Sequence, residues 1–252
     1  MHKFFTDENN IYGHSAKIIG DDVKHIYKVL RLNIGEEISI NNTKGKEYLA
    51  KIKDITKTEV DVQIIEELSI NNESPVEITL FQSIPKSQKM DLIVQKCTEL
   101  GVNKIVAVIT SRVDVKLKGE FKKIDRLNRI SMEAAKQSKR SIIPKVYEPI
   151  SFQDVLDEMK NIDLFIVPYE NAEDFGIRNL MKTIDNKDKI KTVGIIIGPE
   201  GGFEDEEIKK LKENGAYVVT LGKRILRTET AGFVAASLIQ YELGDLGGIR
   251  WK

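Results

Sequence analysis

TVGIIIGPEGG, residues 192–202, decides how this chain folds. The apolar run reads as a strand, and it passes straight into a turn where Gly198, Gly201 and Gly202 let the backbone approach a ligand closely. The next segment, EDEEIKKLKENG (204–215), reads as a helix ending at Gly215. Its first turn carries Glu204, Asp205, Glu206 and Glu207, which complement the helix dipole and would repel a pyrophosphate. The turn is therefore either a plain strand-to-helix corner or a site for a ligand without phosphates. The loop does not spell G-x-G-x-x-G, and G-x-x-x-x-G-K-[ST] occurs nowhere, so dinucleotide-dependent dehydrogenases and P-loop enzymes lose ground.

The same alternation extends outward. VEITLFQS (76–83), IVAVIT (105–110), DLFIVPYE (163–170) and AYVVTLG (216–222) read as strands. MDLIVQKCTEL (90–100), the charged segment 121–138 and AGFVAASLIQYEL (231–243) read as helices. Strands alternating with helices predict an α/β fold with a mostly parallel sheet covered on both faces. Ligands in such sheets bind beyond the carboxyl ends of the strands, where the glycine loops fall. The first part of the chain has a different rhythm: EEISINN, EYLAKIKDI and EVDVQIIEEL are short β-like runs with turn signals between them, which predicts a small β-barrel. A polar break at 69–75 separates the two patterns, so the domains are expected at 1–72 and 73–252.

At 252 residues and 41% hydrophobic content the chain can bury an ordinary core without covalent staples. The lone Cys97 cannot form an internal disulfide and reads as a packed thiol on a helix face, which fits a reducing cytoplasm. No stretch has the ~20 apolar residues of a membrane span, and the N-terminus lacks a signal-peptide core, so a soluble, cytoplasmic protein is expected. His2, His14 and His25 lie far from any ligating pattern, so no metal is expected. With 39 basic and 39 acidic residues the formal charge is zero, but Lys116, Lys118, Lys122, Lys123, Arg126, Arg129, Lys136, Lys139 and Arg140 crowd one stretch. That stretch is compatible with RNA phosphates, and equally with a solvated helix face.

A second loop, LGKRILRTETA (221–231), also leaves a strand and starts a helix. Thr228 or Thr230 could cap that helix. Arg227 is unfavourable at a helix N-terminus, which suggests another partner for it. A cofactor without phosphates, such as S-adenosylmethionine, suits the acidic setting of the first loop.

Five separated stretches then carry a resemblance over nearly the whole chain: HIYKVLR (25–31), KMDLIVQKCTELGV (89–102), EAAKQSKRSIIP (133–144), GPEGGF (198–203) and LGKRILRTETA (221–231). Together they resemble the 16S ribosomal RNA uridine N3-methyltransferase family, of the SPOUT class. The resemblance implies a PUA-like RNA-gripping barrel at 1–72 and a SPOUT domain at 73–252 with a C-terminal trefoil knot, an exception to the rule against threaded loops. It also implies a homodimer acting on 16S rRNA in the 30S subunit, with S-adenosylmethionine as cosubstrate. The cofactor residues it implies are Pro168, Gly198, Pro199, Glu200, Gly201, Gly202, Leu221, Gly222, Ile225, Leu226, Thr228, Thr230 and Ala231. In the first domain His25, Val29, Leu30 and Arg31 match the family motif, with His25 and Arg31 as RNA contacts. Departures are few: Lys136 and Lys139 stand where an acid and a glycine are expected, and Ser87 where a glycine is usual.

Methylating a uridine N3 requires removal of an imide proton. Arg227 is the candidate for stabilising charge on the uracil oxygens, and Glu229, or else Glu200, for the base. The alternatives are that Glu229 only favours the helix start and that Glu200 only holds its loop. Ser111 and Arg112 follow a strand end, and Glu133, Gln137, Arg140 and Pro144 lie in a shared motif. Arg112 and Arg140 are therefore candidate RNA contacts, the alternative being an ion pair of one of them with Glu133. Competing functions are a related knotted methyltransferase acting on transfer RNA or another ribosomal position, and an RNA-binding protein that has lost catalysis.

Overall fold

A computed structural model describes residues 1–69, 72–113, 123–172 and 174–248. The chain forms two compact units, 1–73 with 135–143, and 74–134 with 144–252. The stretch 135–143, grouped by sequence with the second domain, thus packs with the first unit.

The first unit contains β1 (Lys3–Phe5), β2 (Ile11–Tyr12), β3 (Ser15–Ile19), the short helix α1 (Asp21–Lys24), a π-helical stretch His25–Leu30, and then β4 (Glu37–Asn41), β5 (Glu47–Ile55) and β6 (Glu59–Leu68). These six strands form one curled sheet in the order β1-β4-β5-β6-β3-β2, antiparallel except for the β1–β4 pair. Alternation decides its inside: Ile38, Ile40, Ala50, Ile52, Val60 and Val62 point to one core, and Ile26 of the π-helical stretch covers it. Just past β1, the Thr6 hydroxyl donates to the Lys17 carbonyl of β3 at 2.5 Å, drawing the curl together. The returning stretch is held by Glu73, whose carboxylate accepts from the Ser141 amide at 2.7 Å, the Ile142 amide at 3.1 Å and the Arg140 guanidinium.

The second unit carries β7 (Glu77–Ser83), α2 (Lys89–Glu99), β8 (Lys104–Ile109), the main part of α3 (Ile124–Gln137), β9 (Lys145–Ser151) and α4 (Phe152–Glu158). It continues with β10 (Leu164–Pro168), α5 (Ile177–Thr183), β11 (Thr192–Ile197), α6 (Asp205–Glu213), β12 (Tyr217–Val219) and α7 (Thr228–Glu242). Its sheet is parallel throughout, in the order β12-β10-β11-β7-β8-β9. Both faces are covered: Ile78, Leu80, Ile105 and Ile195 face one cluster, while Phe81, Val108, Phe165 and Ile196 face the other. This is why TVGIII, on the inner strand β11, reads as an unbroken apolar run. β9 escaped the sequence reading because Pro149 interrupts it. It is an edge strand whose register against β8 shifts beside that proline, the place where a sheet tolerates a missing N–H. Cys97 lies fully buried in α2, and burial pushes its thiol up to about 12, which makes it inert packing. Among the described residues no helix is long and apolar enough to cross a membrane.

Candidate active site

Because all six strands of the second unit run the same way, the loops leaving β7, β8, β10, β11 and β12 collect at one end of the sheet. The loop after β11 turns tightly, with the Gly202 amide donating to the Pro199 carbonyl at 2.9 Å. Gly202 has φ +69°, a left-handed conformation that penalises side chains, and a Cβ there would lie 2.8 Å from Glu170 Oε1. A cleft beside this loop is lined by Pro168, Tyr169 and Glu170 after β10 and by Thr220, Leu221, Gly222, Arg224, Ile225, Leu226 and Ala231 after β12. Six cofactor residues expected from sequence therefore share one cavity: Pro168, Leu221, Gly222, Ile225, Leu226 and Ala231. Ile225 lines only its rim, since it is 86% exposed.

The threonines behave differently from simple caps. Arg227 is the N-cap of α7, and Thr228 is its first helical residue. The Thr228 hydroxyl donates to the Gly198 carbonyl at 2.7 Å and accepts from Gln82 Nε2 at 2.9 Å, so it joins the two loops. Thr230 is half-buried within the first turn of α7.

Glu200 and Glu229 share one cation. Lys89 Nζ lies 2.8 Å from Glu200 Oε1 and 3.3 Å from Glu229 Oε2. Burial disfavours the Glu200 charge, but hydrogen bonds from Lys89 and from backbone amides outweigh it and hold this carboxyl below its usual range. The contact with Glu200, opposed by desolvation and helped by Glu229, raises the Lys89 pKa, so this side chain stays cationic. The Oε2 of Glu229 is sealed from solvent and accepts no hydrogen bond. Arg227 is exposed, and among the described residues its guanidinium has no ion pair or hydrogen bond.

The two arginines expected on RNA are occupied. Arg112 donates to Glu204 through Nε at 2.8 Å and Nη2 at 3.0 Å, and to the Gly201 carbonyl through Nη1 at 2.8 Å. It braces the glycine loop. Arg140 corrects the sequence reading further: it is 3% exposed and pairs with Glu73, while Glu133 lies exposed. An arginine this buried has no surface to offer a phosphate. The acidic helix start is likewise used internally. Glu207 accepts from the Ser111 amide at 2.9 Å and from the Glu204 amide at 2.9 Å, which ties the loop after β8 to α6. In the basic stretch, Arg126 pairs with Asp91 and Lys136 with Asp22, whereas Lys116, Lys118 and Lys122 lie outside the described residues.

In the first unit His25, Val29 and Arg31 are exposed while Leu30 packs partly on the core, so one short motif both anchors itself and presents a surface. The sequence reading had assigned no role to Lys89 or Gln82. Lys89 stands in a quoted motif, and Gln82 is a polar residue closing an apolar strand, which was the available signal.

Comparisons with known proteins show what the chain resembles as a whole. An RNA methyltransferase domain profile matches residues 72–240, and an RNA methyltransferase PUA domain profile matches 18–65. The chain is 36% identical over 234 residues to the ribosomal RNA small subunit methyltransferase E of Bacillus subtilis, covering 92% of this chain and 91% of that protein. It is 33% identical to the Aquifex aeolicus protein of the same name, covering 95% and 99%. The crystal structure of the Neisseria gonorrhoeae ribosomal RNA small subunit methyltransferase E bound to S-adenosylmethionine superposes with a TM-score of 0.83 at 34% identity, covering 97% of this chain and 99% of that one.

Proposed function

This chain belongs to the RNA methyltransferase family, with its PUA domain, and on that premise we propose that it transfers a methyl group from S-adenosylmethionine to N3 of a uridine in 16S rRNA. We assign the 30S subunit as the substrate, the cytoplasm as the setting, and a homodimer with the SPOUT trefoil knot as the working form. The observation that carries the reading is the convergence of the 198–202 loop, the end of β10 and the 221–231 loop at one end of a parallel sheet, with Arg227 exposed beside them.

The residues present suit the cofactor. Pro168, Leu221, Leu226 and Ala231 give the cleft apolar walls for an adenine, and Glu170 and Arg224 line it as one charge of each sign. A mostly apolar cleft without a concentration of positive charge suits a cofactor that carries no phosphate. When bound, the cofactor supplies an electrophilic methyl group whose departure leaves a neutral thioether. Glu229 takes the imide proton from uridine N3, since Lys89 holds it more loosely, at 3.3 Å, than Glu200, which is clamped in its charged form by Lys89 at 2.8 Å and by the Lys86 amide. Arg227 stabilises the negative charge spreading onto the uracil carbonyl oxygens as that proton leaves. His25 and Arg31 in the PUA-like unit hold the RNA backbone.

The deciding experiment incubates the protein and labelled cofactor with unmodified 30S particles, free 16S RNA and transfer RNA, then maps the product. We expect N3-methyluridine in 16S RNA. Label appearing only in transfer RNA would sink the substrate assignment, and no transfer to any of the three would favour an RNA-binding role without catalysis.

A further inference from the structure

Gln82 is the penultimate residue of β7 and has no solvent exposure. Its register partner is Ile197 of β11, the residue before the glycine loop, so Gln82 stands directly under the point where that loop leaves the sheet. Its amide nitrogen donates twice, to the Ser83 carbonyl at 3.1 Å and to Thr228 Oγ1 at 2.9 Å. The opposite orientation of the amide is excluded by chemistry, because it would set an oxygen against the Ser83 carbonyl. While it accepts from Gln82, the Thr228 hydroxyl donates its own proton to the Gly198 carbonyl at 2.7 Å. The result is a one-way chain of donors from β7 through the first residue of α7 to the first residue of the cofactor loop.

Two further features mark this chain as more than filling. Gln82 Oε1 is buried with no hydrogen-bond partner, a cost that a methionine or leucine of similar size would not carry. Gly232, one turn into α7, faces that oxygen, and a Cβ there would lie in ordinary contact with it at 3.5 Å and with Leu80 Cδ2 at 3.8 Å. This turn of the helix therefore packs on β7, with Thr228 in reach of the amide. Removing the donor would free the Thr228 hydroxyl to rotate and leave the Gly198 carbonyl unheld.

We propose that Gln82 is a positioning residue for the cofactor site, which through Thr228 fixes the Gly198 carbonyl and so holds the loops after β11 and β12 in one register. It touches no substrate and acts by setting the shape of the loop pair before the cofactor arrives. The inference rests on the S-adenosylmethionine reading of that site. A purely structural role for Gln82 would lower stability while leaving affinity in the folded protein unchanged. A positioning role raises the dissociation constant in protein that is fully folded.

The test is titration calorimetry with S-adenosylmethionine on the full chain and on Gln82→Met, Thr228→Val, Thr228→Ser and the Gln82→Met/Thr228→Val double variant, with thermal melting recorded for each. The expected result is a rise of about 5- to 10-fold in Kd for Gln82→Met and for Thr228→Val, the weight of one buried hydrogen bond. The double variant should be no weaker than the poorer single one, because both break the same chain. Thr228→Ser, which keeps the hydroxyl, should restore binding to within about threefold of wild type. In turnover the loss should appear in the KM for cofactor rather than in kcat. Single-variant effects that multiply in the double variant, or Gln82→Met binding as wild type does, would overturn the proposal. If Gln82→Met does not fold, the Thr228 pair decides alone, and equal binding by the serine and valine variants overturns it. Wild-type protein that fails to bind the cofactor would overturn the reading beneath this inference and the inference with it. Normal wild-type binding with unchanged variants overturns the inference only.

Discussion

Arg227 and Glu229 stand two residues apart at the start of α7 in opposite circumstances, one exposed and unpaired among the described residues, the other mostly buried beside a cation. Arg227→Ala should lower kcat by about 10²- to 10³-fold, the usual loss when one charge-stabilising donor is removed, with cofactor affinity changed little. Glu229→Gln should lower kcat by roughly 10²-fold or more, because the amide keeps the shape of the side chain but cannot take a proton. Glu200 has a depressed pKa, so its link to Lys89 is complete above the ordinary carboxylate pKa and is lost only as pH falls through the lowered value. Two departures from the family pattern also acquire a physical meaning at this scale. Ser87 and Lys139 stand where glycine is expected, and both have positive φ, 62° and 58°. A left-handed conformation costs an L-residue about 1–2 kcal/mol, partly offset by the entropy glycine loses on folding. Ser87→Gly and Lys139→Gly should each stabilise their fold by roughly 0.5–1 kcal/mol, read as a rise of about 2–4 °C per kcal/mol in the melting temperature.

At the scale of elements, the loop between β12 and α7 is the part most dependent on a ligand. The cleft it borders has a volume of only 70 Å³, whereas sites for molecules of cofactor size run to ~300 Å³ or more. On the cofactor reading proposed above, the 222–227 segment moves outward to admit the cofactor and then closes Ile225 over it. Hydrogen exchange should show the amides of 222–227 becoming protected on cofactor addition, while those of β11 stay protected throughout; unchanged exchange in the loop would count against its role. Sequence reading located most of these elements because amphipathic helices and apolar strands have different periods. β9, α4 and α5 were not picked out: the first is broken by Pro149 at a sheet edge, and the other two are seven-residue helices too short for a clear period.

At the scale of the molecule, α7 presents Leu238 at 37% and Tyr241 at 61% exposure one turn apart, with Leu246 exposed just beyond the helix. Apolar residues grouped in this way suit an interface between copies of the chain, consistent with the homodimer proposed above. The double variant Leu238→Asp/Tyr241→Asp should sediment as a monomer in analytical ultracentrifugation with its fold intact. A wild-type chain that already sediments as a monomer at micromolar concentration would remove the dimer from the proposal. Arg112 in the second unit and Arg140 in the first also show why strand-end position and motif alone did not reveal which acids these side chains meet. A basic residue is exposed or consumed according to which acid folding brings beside it, and Glu204 and Glu73 lie 92 and 67 residues away along the chain.

The amino-acid sequence by itself determined the parallel α/β architecture and the two glycine-containing loops. These depend on local period and on backbone freedom, and both are written in neighbouring residues. It also placed an acidic helix start directly after the first loop, at 204–207. Only the tertiary structure decided which side chains remain available for chemistry. Lys89 neutralises Glu200, Arg112 is spent on Glu204, Arg140 is spent on Glu73, and Gln82 reaches Thr228 across 146 residues. Such pairings depend on distances in space, which no local pattern encodes, and of the groups considered for chemistry they leave Arg227 unpaired among the described residues.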